Sequence, residues 1–196
     1  MDQGSQAIFV VGDTGAGKST FINYMTGQRL TIKKSEYMNS YYLENAGSNS
    51  VTIGHDFKSK TKMPAFVTDE DGNMYIDTPG FEDTEGFKAN IINAMILKRI
   101  LNMFSKKKVV LLIEEKNLFV NRGQEFRSNL IKIKSIFGSE CGDYMIVISK
   151  ASQKMDHKGY MKKIIEDDNS VASNKNRKYF MNIIENSSVE PFYQVG

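Results

Sequence analysis

A glycine-rich stretch near the start of the chain limits the possible folds more than any other feature. Residues 12–20 read GDTGAGKST and match the pattern G-x-x-x-x-G-K-[ST] at all four fixed positions. The unbroken apolar run of residues 7–11 precedes the stretch and is typical of a strand buried on both faces. A helix is predicted to follow, from Lys18 to about Met25. A strand, a glycine-rich turn and a helix in this order predict a loop that holds phosphate groups.

This loop has distinct chemical parts. Its glycines allow the backbone N–H groups to point inward, and the helix N-terminus adds a favourable dipole for anions. Lys18 is expected to reach the β- and γ-phosphates, and the Ser19 hydroxyl is expected to ligate Mg²⁺. The residues predicted to hold the nucleotide phosphates are Asp13, Thr14, Gly15, Ala16, Gly17, Lys18, Ser19 and Thr20.

A second motif follows the predicted strand of residues 74–76. Asp77 begins the sequence D-x-x-G, which ends at Gly80. Such an Asp is expected to contact a magnesium-bound water, and the Gly80 N–H is expected to contact the γ-phosphate. Thr52 is the predicted third ligand, because it just precedes a predicted hairpin strand. The predicted metal ligands are therefore Ser19, Thr52 and Asp77, and the predicted catalytic residues are Lys18, Thr52 and Gly80.

The rest of the chain alternates between strand and helix patterns. This alternation predicts an α/β fold with a mostly parallel central sheet and helices on both faces. Residues 26–54 are polar and predict a long loop or an insertion with a short helix. Further strands are predicted at 57–68, 74–76, 109–113, 144–148 and 192–195, and helices at 87–104, 124–137, 155–166 and 174–185. Asp71-Gly72 predicts a hairpin turn, and Gly138 a helix C-cap.

Composition excludes several classes of function. The net charge of +3 is too small to favour a nucleic-acid partner. Cys141 is the single cysteine, which excludes an internal disulfide and indicates a reducing, cytoplasmic location. His55 and His157 are the two histidines, and both are expected at the surface rather than in a zinc site.

Several short motifs follow one another along the chain. They are SVT at 50–52, YIDTPGFEDT at 75–84, SIFG at 135–138 and MIVIS at 145–149. Their order resembles the GTPases of immunity-associated proteins, the avirulence-induced-gene family, and FVNRGQ at 119–124 matches a family box loosely. The resemblance covers roughly residues 8–152, and the chloroplast import-receptor GTPases and septins are more distant relatives.

This resemblance implies a single Ras-like G domain over residues 1–196 that binds GTP or GDP with Mg²⁺. It also implies dimers or oligomers formed through the nucleotide face, often at membrane surfaces. Membrane attachment in the family comes from segments outside the G domain. A G domain is expected to continue beyond Gly196, so the chain is expected to be the N-terminal part of a longer protein.

The base-recognition segment departs from the family pattern. The usual sequence is [NT]-[KR]-x-D, in which the Asp accepts hydrogen bonds from guanine, but here it is Ser149-Lys150-Ala151-Ser152. Lys150 is expected to lay its aliphatic stem over the base. Ser152 lacks the charge and the bidentate geometry, so weaker guanine selectivity is expected. Asp156 is an alternative carboxylate, and an ATP-binding ATPase or kinase stays open.

Another departure concerns hydrolysis. Phe81 follows the D-x-x-G motif where Ras-like enzymes commonly have Gln, and Phe cannot orient a water molecule. Slow hydrolysis is therefore expected, aided by the Thr52 backbone, by Glu82 or Asp83, or by a partner subunit. Arg122 is a candidate for action in trans. A nucleotide-locked scaffold without turnover is the other alternative.

Overall fold

The structure is a computed structural model that describes residues 6–34, 41–45, 64–80, 87–138, 142–152, 155–167 and 174–193. For residues 41–45, 87–90 and 174–175 the description covers the backbone only. In chain order the elements are β1 (Ala7–Gly12), α1 (Lys18–Met25), β2 (Leu30–Lys34), β3 (Tyr41–Asn45), β4 (Ala65–Thr68), β5 (Met74–Asp77), α2 (Phe87–Leu101), β6 (Lys107–Glu114), α3 (Lys116–Phe119), a 3-10 turn (Val120–Gly123), α4 (Gln124–Phe137), β7 (Tyr144–Ala151), α5 (His157–Glu166), α6 (Asn174–Asn186) and β8 (Ser188–Tyr193).

The main sheet has six strands in the order β4-β5-β1-β6-β7-β8. Strands β5, β1, β6, β7 and β8 run parallel to one another, and only β4 is antiparallel to its neighbour. The β4–β5 hairpin turns at Asp71-Gly72 as predicted, with Gly72 in the left-handed region at φ 81°. The carboxyl ends of the five parallel strands therefore meet along one edge of the sheet.

The two faces of β1 explain how helices cover the sheet. Successive side chains of a strand point to opposite faces. Ala7, Phe9 and Val11 pack into a core cluster with residues of α2, α4, α5 and α6. Ile8 and Val10 pack on the other face, in a second cluster that includes residues of α1. Helices on both faces of a mostly parallel sheet, with a glycine-rich loop between β1 and α1, confirm the predicted Ras-like P-loop fold.

The segment after α1 differs from the prediction. A long loop or an insertion with a short helix was expected over residues 26–54, but β2 and β3 form a separate antiparallel ribbon. The sequence of β2 carries little apolar alternation because this strand lies outside the main sheet and its last three residues are exposed. Ile32 is 56% exposed, and Lys33 and Lys34 are exposed as well. A strand pattern that depends on burial is absent from such a sequence.

The later elements follow the prediction closely. Helix α4 spans the predicted residues, and Gly138 is its C-cap. Strands β6 and β7 are longer than predicted, β8 begins at Ser188 instead of residue 192, and α2 ends at Leu101 instead of residue 104. Helix α3 with its 3-10 turn was not predicted. Thr52, His55, Phe81 and Cys141 lie outside the described residues, as do Glu82 and Asp83. Among the described helices, none is both long and apolar enough to cross a bilayer.

Candidate nucleotide-binding site

The P-loop leaves β1 at Gly12 and enters α1 at Lys18. Gly15 and Gly17 adopt left-handed backbone angles, with φ of 80° and 90°. Gly12 lies so close to the Leu112 carbonyl of β6 that a side chain there would clash with backbone. Within the described residues, no side chain caps the N-terminus of α1. The first N–H groups of the helix therefore face the loop, where an anion would accept their hydrogen bonds.

Lys18 lies inside this loop. Its side chain is 7% exposed, and its Nζ donates to the Gly12 carbonyl at 3.1 Å and the Asp13 carbonyl at 2.9 Å. An ammonium group carries three donors and no acceptor. The loop's own backbone thus holds the positive charge at the place where the sequence predicts phosphate oxygens.

Ser19 and Asp77 form the direct link between the P-loop helix and β5. The Ser19 hydroxyl donates to Asp77 Oδ2 at 2.8 Å, and Asp77 is fully buried at the end of β5. Thr78 anchors the next position, since its hydroxyl donates to the Val10 carbonyl at 2.8 Å. A hydroxyl and a carboxylate are hard oxygen ligands of the kind that Mg²⁺ prefers. Two of the three predicted metal ligands are therefore adjacent, and their chemistry fits the ion.

Gly80, the last residue of D-x-x-G, packs directly on the P-loop. It is buried, and a Cβ added to it would lie 2.8 Å from the Thr14 backbone nitrogen and clash with the Thr14 hydroxyl. Position 80 therefore requires glycine, because the Thr14 backbone lies too close for a side chain. The segment that the sequence associates with the γ-phosphate contacts the phosphate loop itself.

Asn129 is a contact of the P-loop that the sequence reasoning missed. It lies on α4 with 1% exposure, and its Nδ2 donates to Asp13 Oδ2 at 2.7 Å. A polar residue in the apolar stripe of a helix was the available signal, because Leu130 and Ile133 beside it are both core residues. Such a side chain is found buried only when it has a hydrogen-bond partner.

Lys150 follows the buried part of β7 at the same sheet edge. Its backbone is left-handed, with φ 53°. Its Nζ lies 3.1 Å from Glu114 Oε1 at the end of β6, and Lys116 Nζ lies 2.9 Å from the same oxygen. The side chain of Lys150 is 41% exposed, so its stem is accessible for the predicted contact with a base.

Glu115 is the carboxylate beside the base-recognition segment. It is 4% exposed, and its Oε2 accepts hydrogen bonds from the Ser152 backbone N–H at 2.9 Å and the Ser152 hydroxyl at 2.5 Å. His157 Nε2 lies 2.8 Å from Oε1. Burial by itself raises the pKa of Glu115, but the hydrogen bonds from Ser152 and His157, with the charge interaction of His157, hold it below its ordinary value.

Two expectations for this region need correction. His157 was expected at the surface but is 6% exposed, because its ring is satisfied by the buried Glu115 carboxylate. Asp156, the alternative carboxylate for the base, serves as the N-cap of α5 and accepts from the Gly159 N–H at 2.9 Å. Glu115 was not predicted, although its place at the carboxyl end of β6 marks it as a residue of this edge.

The segment of residues 119–124 has an unusual backbone. Asn121, Arg122 and Gly123 are successive left-handed residues, with φ of 49°, 54° and 73°. For a residue with a side chain this conformation costs about 1–2 kcal/mol. Arg122 is exposed, and its carbonyl accepts from Arg127 at 2.7 Å. Its action in trans stays a prediction, as does the role of Thr52.

A comparison with individual curated proteins gave no match. Among solved structures, an Aquifex aeolicus Era variant bound to GDP·AlF4⁻ is 17% identical, with 95% of this chain and 50% of that chain covered and a TM-score of 0.46. The signal recognition particle receptor SRβ–GTP/SRX complex from Chaetomium thermophilum is 16% identical, with 100% of this chain and 93% of that chain covered and a TM-score of 0.49. A GTP-binding protein from Sulfolobus solfataricus in complex with GDP is 15% identical, with 95% of this chain and 46% of that chain covered and a TM-score of 0.45.

The chain thus spans about half the length of the Era and Sulfolobus chains. At these identities and TM-scores no residue role and no function rests on the likeness. The AIG1 family model, in contrast, matches almost the whole chain, from residue 6 to residue 195. This range includes every described residue of the site. The chain belongs to the AIG1 family.

Proposed function

We propose that this protein is a guanine-nucleotide-binding molecular switch that hydrolyses GTP slowly in the presence of Mg²⁺. The observation that carries the proposal is the 2.8 Å hydrogen bond from Ser19 to Asp77. It joins the P-loop helix to the D-x-x-G segment, so that whatever binds the loop also acts on the end of β5. That coupling is what distinguishes a switch from a simple phosphate site.

The phosphate-binding step uses groups that are already in place. Lys18 exchanges its two carbonyl acceptors for β- and γ-phosphate oxygens, and charge-assisted hydrogen bonds of this kind are stronger than those to carbonyls. The backbone N–H groups of Gly15 to Ser19 surround the same oxygens. Ser19, Asp77 and Thr52 would hold Mg²⁺, which supplies neutralisation of the phosphate charge.

The switching step depends on the contact of Gly80 with Thr14. Because Gly80 packs against the loop that holds the phosphates, a γ-phosphate beside the loop is within reach of the Gly80 backbone. Loss of the γ-phosphate removes its contact with the Gly80 backbone and so releases the segment after β5. Thr52 provides the second segment that responds to the γ-phosphate.

Hydrolysis is proposed to be slow and to be stimulated by dimerisation or oligomerisation through the nucleotide face. Phe81 has no group that orients water, and phosphoryl transfer requires an oriented nucleophile. A partner subunit can supply such a group, together with a cation such as Arg122. We also propose a cytoplasmic location, on the basis of the single cysteine.

Family membership supports a guanine nucleotide, the P-loop geometry supports a nucleoside phosphate with either base, and Ser152 in place of Asp is the feature that keeps the adenine alternative open. Mass spectrometry of the nucleotide retained on the purified protein tests this directly. Competition of GTP and ATP against a fluorescent nucleotide then ranks the two bases. Retained guanine nucleotide and preferential displacement by GTP are expected. A clear preference for ATP would overturn the proposal.

Turnover is tested by phosphate release as protein concentration rises. Release per subunit should increase with concentration if one subunit stimulates another. A constant rate per subunit contradicts the dimer part of the proposal. Absence of phosphate release at every concentration, with binding that is lost in Lys18→Ala, identifies a nucleotide-locked scaffold instead.

A further inference from the structure

The base-recognition segment lacks its usual carboxylate, and a buried carboxylate from the neighbouring strand is bonded to the residue that replaced it. We propose that Ser152 recognises guanine as a hydrogen-bond acceptor, and that Glu115 is the positioning residue that makes it one. This inference rests on the proposed function, because it concerns the base of the same nucleotide.

The position of Ser152 suits contact with a base. It directly follows β7, and β7 is separated from β1 by β6 alone. Two strand spacings place it on the order of 10 Å from the P-loop along the sheet edge. Ser152 is exposed, whereas Glu115 behind it is buried. A base that lies across this edge therefore meets the Ser152 hydroxyl and not the Glu115 carboxylate.

The hydrogen bonds decide what the hydroxyl presents. A serine hydroxyl has one proton and two lone pairs, and an ionised carboxylate only accepts. The Ser152 proton is directed at Glu115 Oε2 over 2.5 Å, so the lone pairs of Oγ are left for a ligand. The Ser152 backbone N–H donates to the same oxygen at 2.9 Å and fixes the residue in this orientation.

Guanine and adenine differ in what they offer to such an acceptor. On its Watson–Crick edge guanine presents the N1–H and the 2-amino group, which are both donors. Adenine presents the N1 lone pair and a C–H at those positions. An oxygen that has only lone pairs available bonds to guanine and opposes the N1 of adenine. A hydroxyl with a free proton could instead donate that proton to the N1 of adenine. It would then no longer distinguish guanine from adenine.

His157 helps to keep the Glu115 carboxylate in its ionised state. Its Nε2 lies 2.8 Å from Glu115 Oε1, and the ring is almost completely buried. Because the hydrogen bonds hold the pKa of Glu115 below its ordinary value, the carboxylate stays ionised near neutral pH. A protonated Glu115 would itself carry a donor and would compete for the Ser152 oxygen.

The same geometry explains why the usual Asp is absent. An Asp at position 152 would bring a second carboxylate against Glu115 Oε2, and two like charges in a partly buried site repel. Ser152 and Glu115 together retain one negative charge, which stays on the buried Glu115 carboxylate, while the neutral Ser152 oxygen presents lone pairs to the ligand. One such contact predicts a guanine preference of roughly tenfold, which is smaller than a bidentate carboxylate gives.

The test measures displacement of a fluorescent nucleotide by GDP, IDP, ADP and inorganic pyrophosphate. IDP keeps the N1–H and lacks the 2-amino group, and pyrophosphate reports on the P-loop without a base. The wild type should bind GDP about tenfold more tightly than ADP. Ser152→Ala should lower GDP affinity about tenfold and leave ADP and pyrophosphate unchanged. Ser135→Ala, at an exposed serine on α4, is the matched control.

Two variants of Glu115 separate positioning from structure. Glu115→Ala releases the Ser152 proton, so the GDP-to-ADP ratio should fall toward one with pyrophosphate affinity unchanged. Glu115→Gln keeps a carbonyl oxygen that accepts the same proton and should restore most of the ratio. If Glu115→Ala does not fold, Ser152→Ala still tests the acceptor role of Ser152, and a GDP-to-ADP ratio in Glu115→Gln far below that of the wild type contradicts the positioning role of Glu115.

The outcomes distinguish this inference from the function on which it rests. A wild-type preference for GDP that Ser152→Ala leaves intact overturns the inference and leaves the proposed function standing. Equal losses of GDP and ADP affinity in Ser152→Ala also overturn the inference. A wild type that binds no nucleotide, or prefers ADP, overturns both.

Discussion

The side-chain amide of Asn129 donates a 2.7 Å hydrogen bond to Asp13 Oδ2 and so joins α4 to the P-loop, 116 positions away in sequence. Asn129 is 1% exposed, so this bond is made in a low-dielectric environment where an unmet polar group is costly. The position of the phosphate loop therefore depends on a helix that does not itself contact the phosphates.

Replacement of Asn129 by leucine keeps the branched shape and the number of heavy atoms of the side chain and removes the donor. We expect Asn129→Leu to lower the free energy of unfolding by about 1–3 kcal/mol, because Asp13 loses a buried partner. Nucleotide affinity should fall as the loop loses its support. Urea denaturation and pyrophosphate binding measure the two effects. Ser135→Ala on the exposed side of α4 should change stability by less than about 0.5 kcal/mol. Unchanged stability in Asn129→Leu would show that the bond is dispensable.

Lys18→Ala removes the ammonium group that the P-loop carbonyls hold. Hydrogen bonds to charged groups contribute about 1.5–3 kcal/mol, so GDP affinity should fall by about 10- to 150-fold. Lys98→Ala, at an exposed lysine near the end of α2, changes the net charge equally and should bind GDP like the wild type. Calorimetric titration of both variants checks the prediction. Comparable losses in the two variants would mean that net charge, and not position, accounts for the effect.

Ser19→Ala tests the predicted ligand beside Asp77. Removal of the hydroxyl takes away one oxygen ligand and leaves the buried carboxylate in place. GTP affinity should then become insensitive to Mg²⁺, while affinity measured in EDTA stays close to that of the wild type. Paired titrations with Mg²⁺ and with EDTA separate the two contributions. If Mg²⁺ raises the GTP affinity of Ser19→Ala as much as that of the wild type, Ser19 is excluded as a ligand.

Gly80→Ala tests the contact between D-x-x-G and the P-loop. The new methyl group would clash with Thr14, so either the loop or the segment after β5 must move. We expect at least about a tenfold loss of GTP affinity, an order-of-magnitude figure for loss of the proposed hydrogen bond from the Gly80 N–H to the γ-phosphate. Gly142→Ala is the matched control, because a Cβ there meets no atom within 4 Å. If the two alanine variants bind GTP equally well, the close approach of Gly80 does not matter for binding.

The fold could be predicted from the sequence where burial leaves a pattern in it. Strand β1 is an unbroken apolar run because helices cover both of its faces, and α4 carries a stripe of core residues, so both elements are visible as patterns. The P-loop could be predicted because its chemistry requires particular residues at fixed spacing. Strand β2, which contains Ile32, could not, because an exposed strand outside the main sheet needs no apolar alternation.

The partners of the site residues were beyond prediction for a different reason. Asn129 and Asp13, or Glu115 and Ser152, meet only because the sheet order brings distant segments together. Each residue alone is a common polar residue with no distinctive neighbours in the sequence. Ser152 was identified as a departure from the family pattern, but its consequence depended on a carboxylate from another strand.

The ionisation of Glu115 predicts how stability depends on pH. Since the folded protein holds the pKa of Glu115 below its ordinary value, the unfolded chain takes up this proton first as pH falls. The carboxylate therefore contributes fully to stability above its ordinary pKa, and the contribution is lost as pH falls through the folded-state pKa. Ser152 and His157 are the groups that face it, from the end of β7 and from α5.

Glu115→Gln removes this titration and keeps the shape of the side chain. The stability difference between wild type and Glu115→Gln should shrink as pH falls from the ordinary pKa of Glu115 through its folded-state pKa. Urea denaturation at a series of pH values measures it, with Glu166→Gln as a control at an exposed glutamate of α5. A stability difference that grows as pH falls would mean that the folded protein does not favour the ionised form of Glu115, and the acceptor state of Ser152 would lose its physical basis.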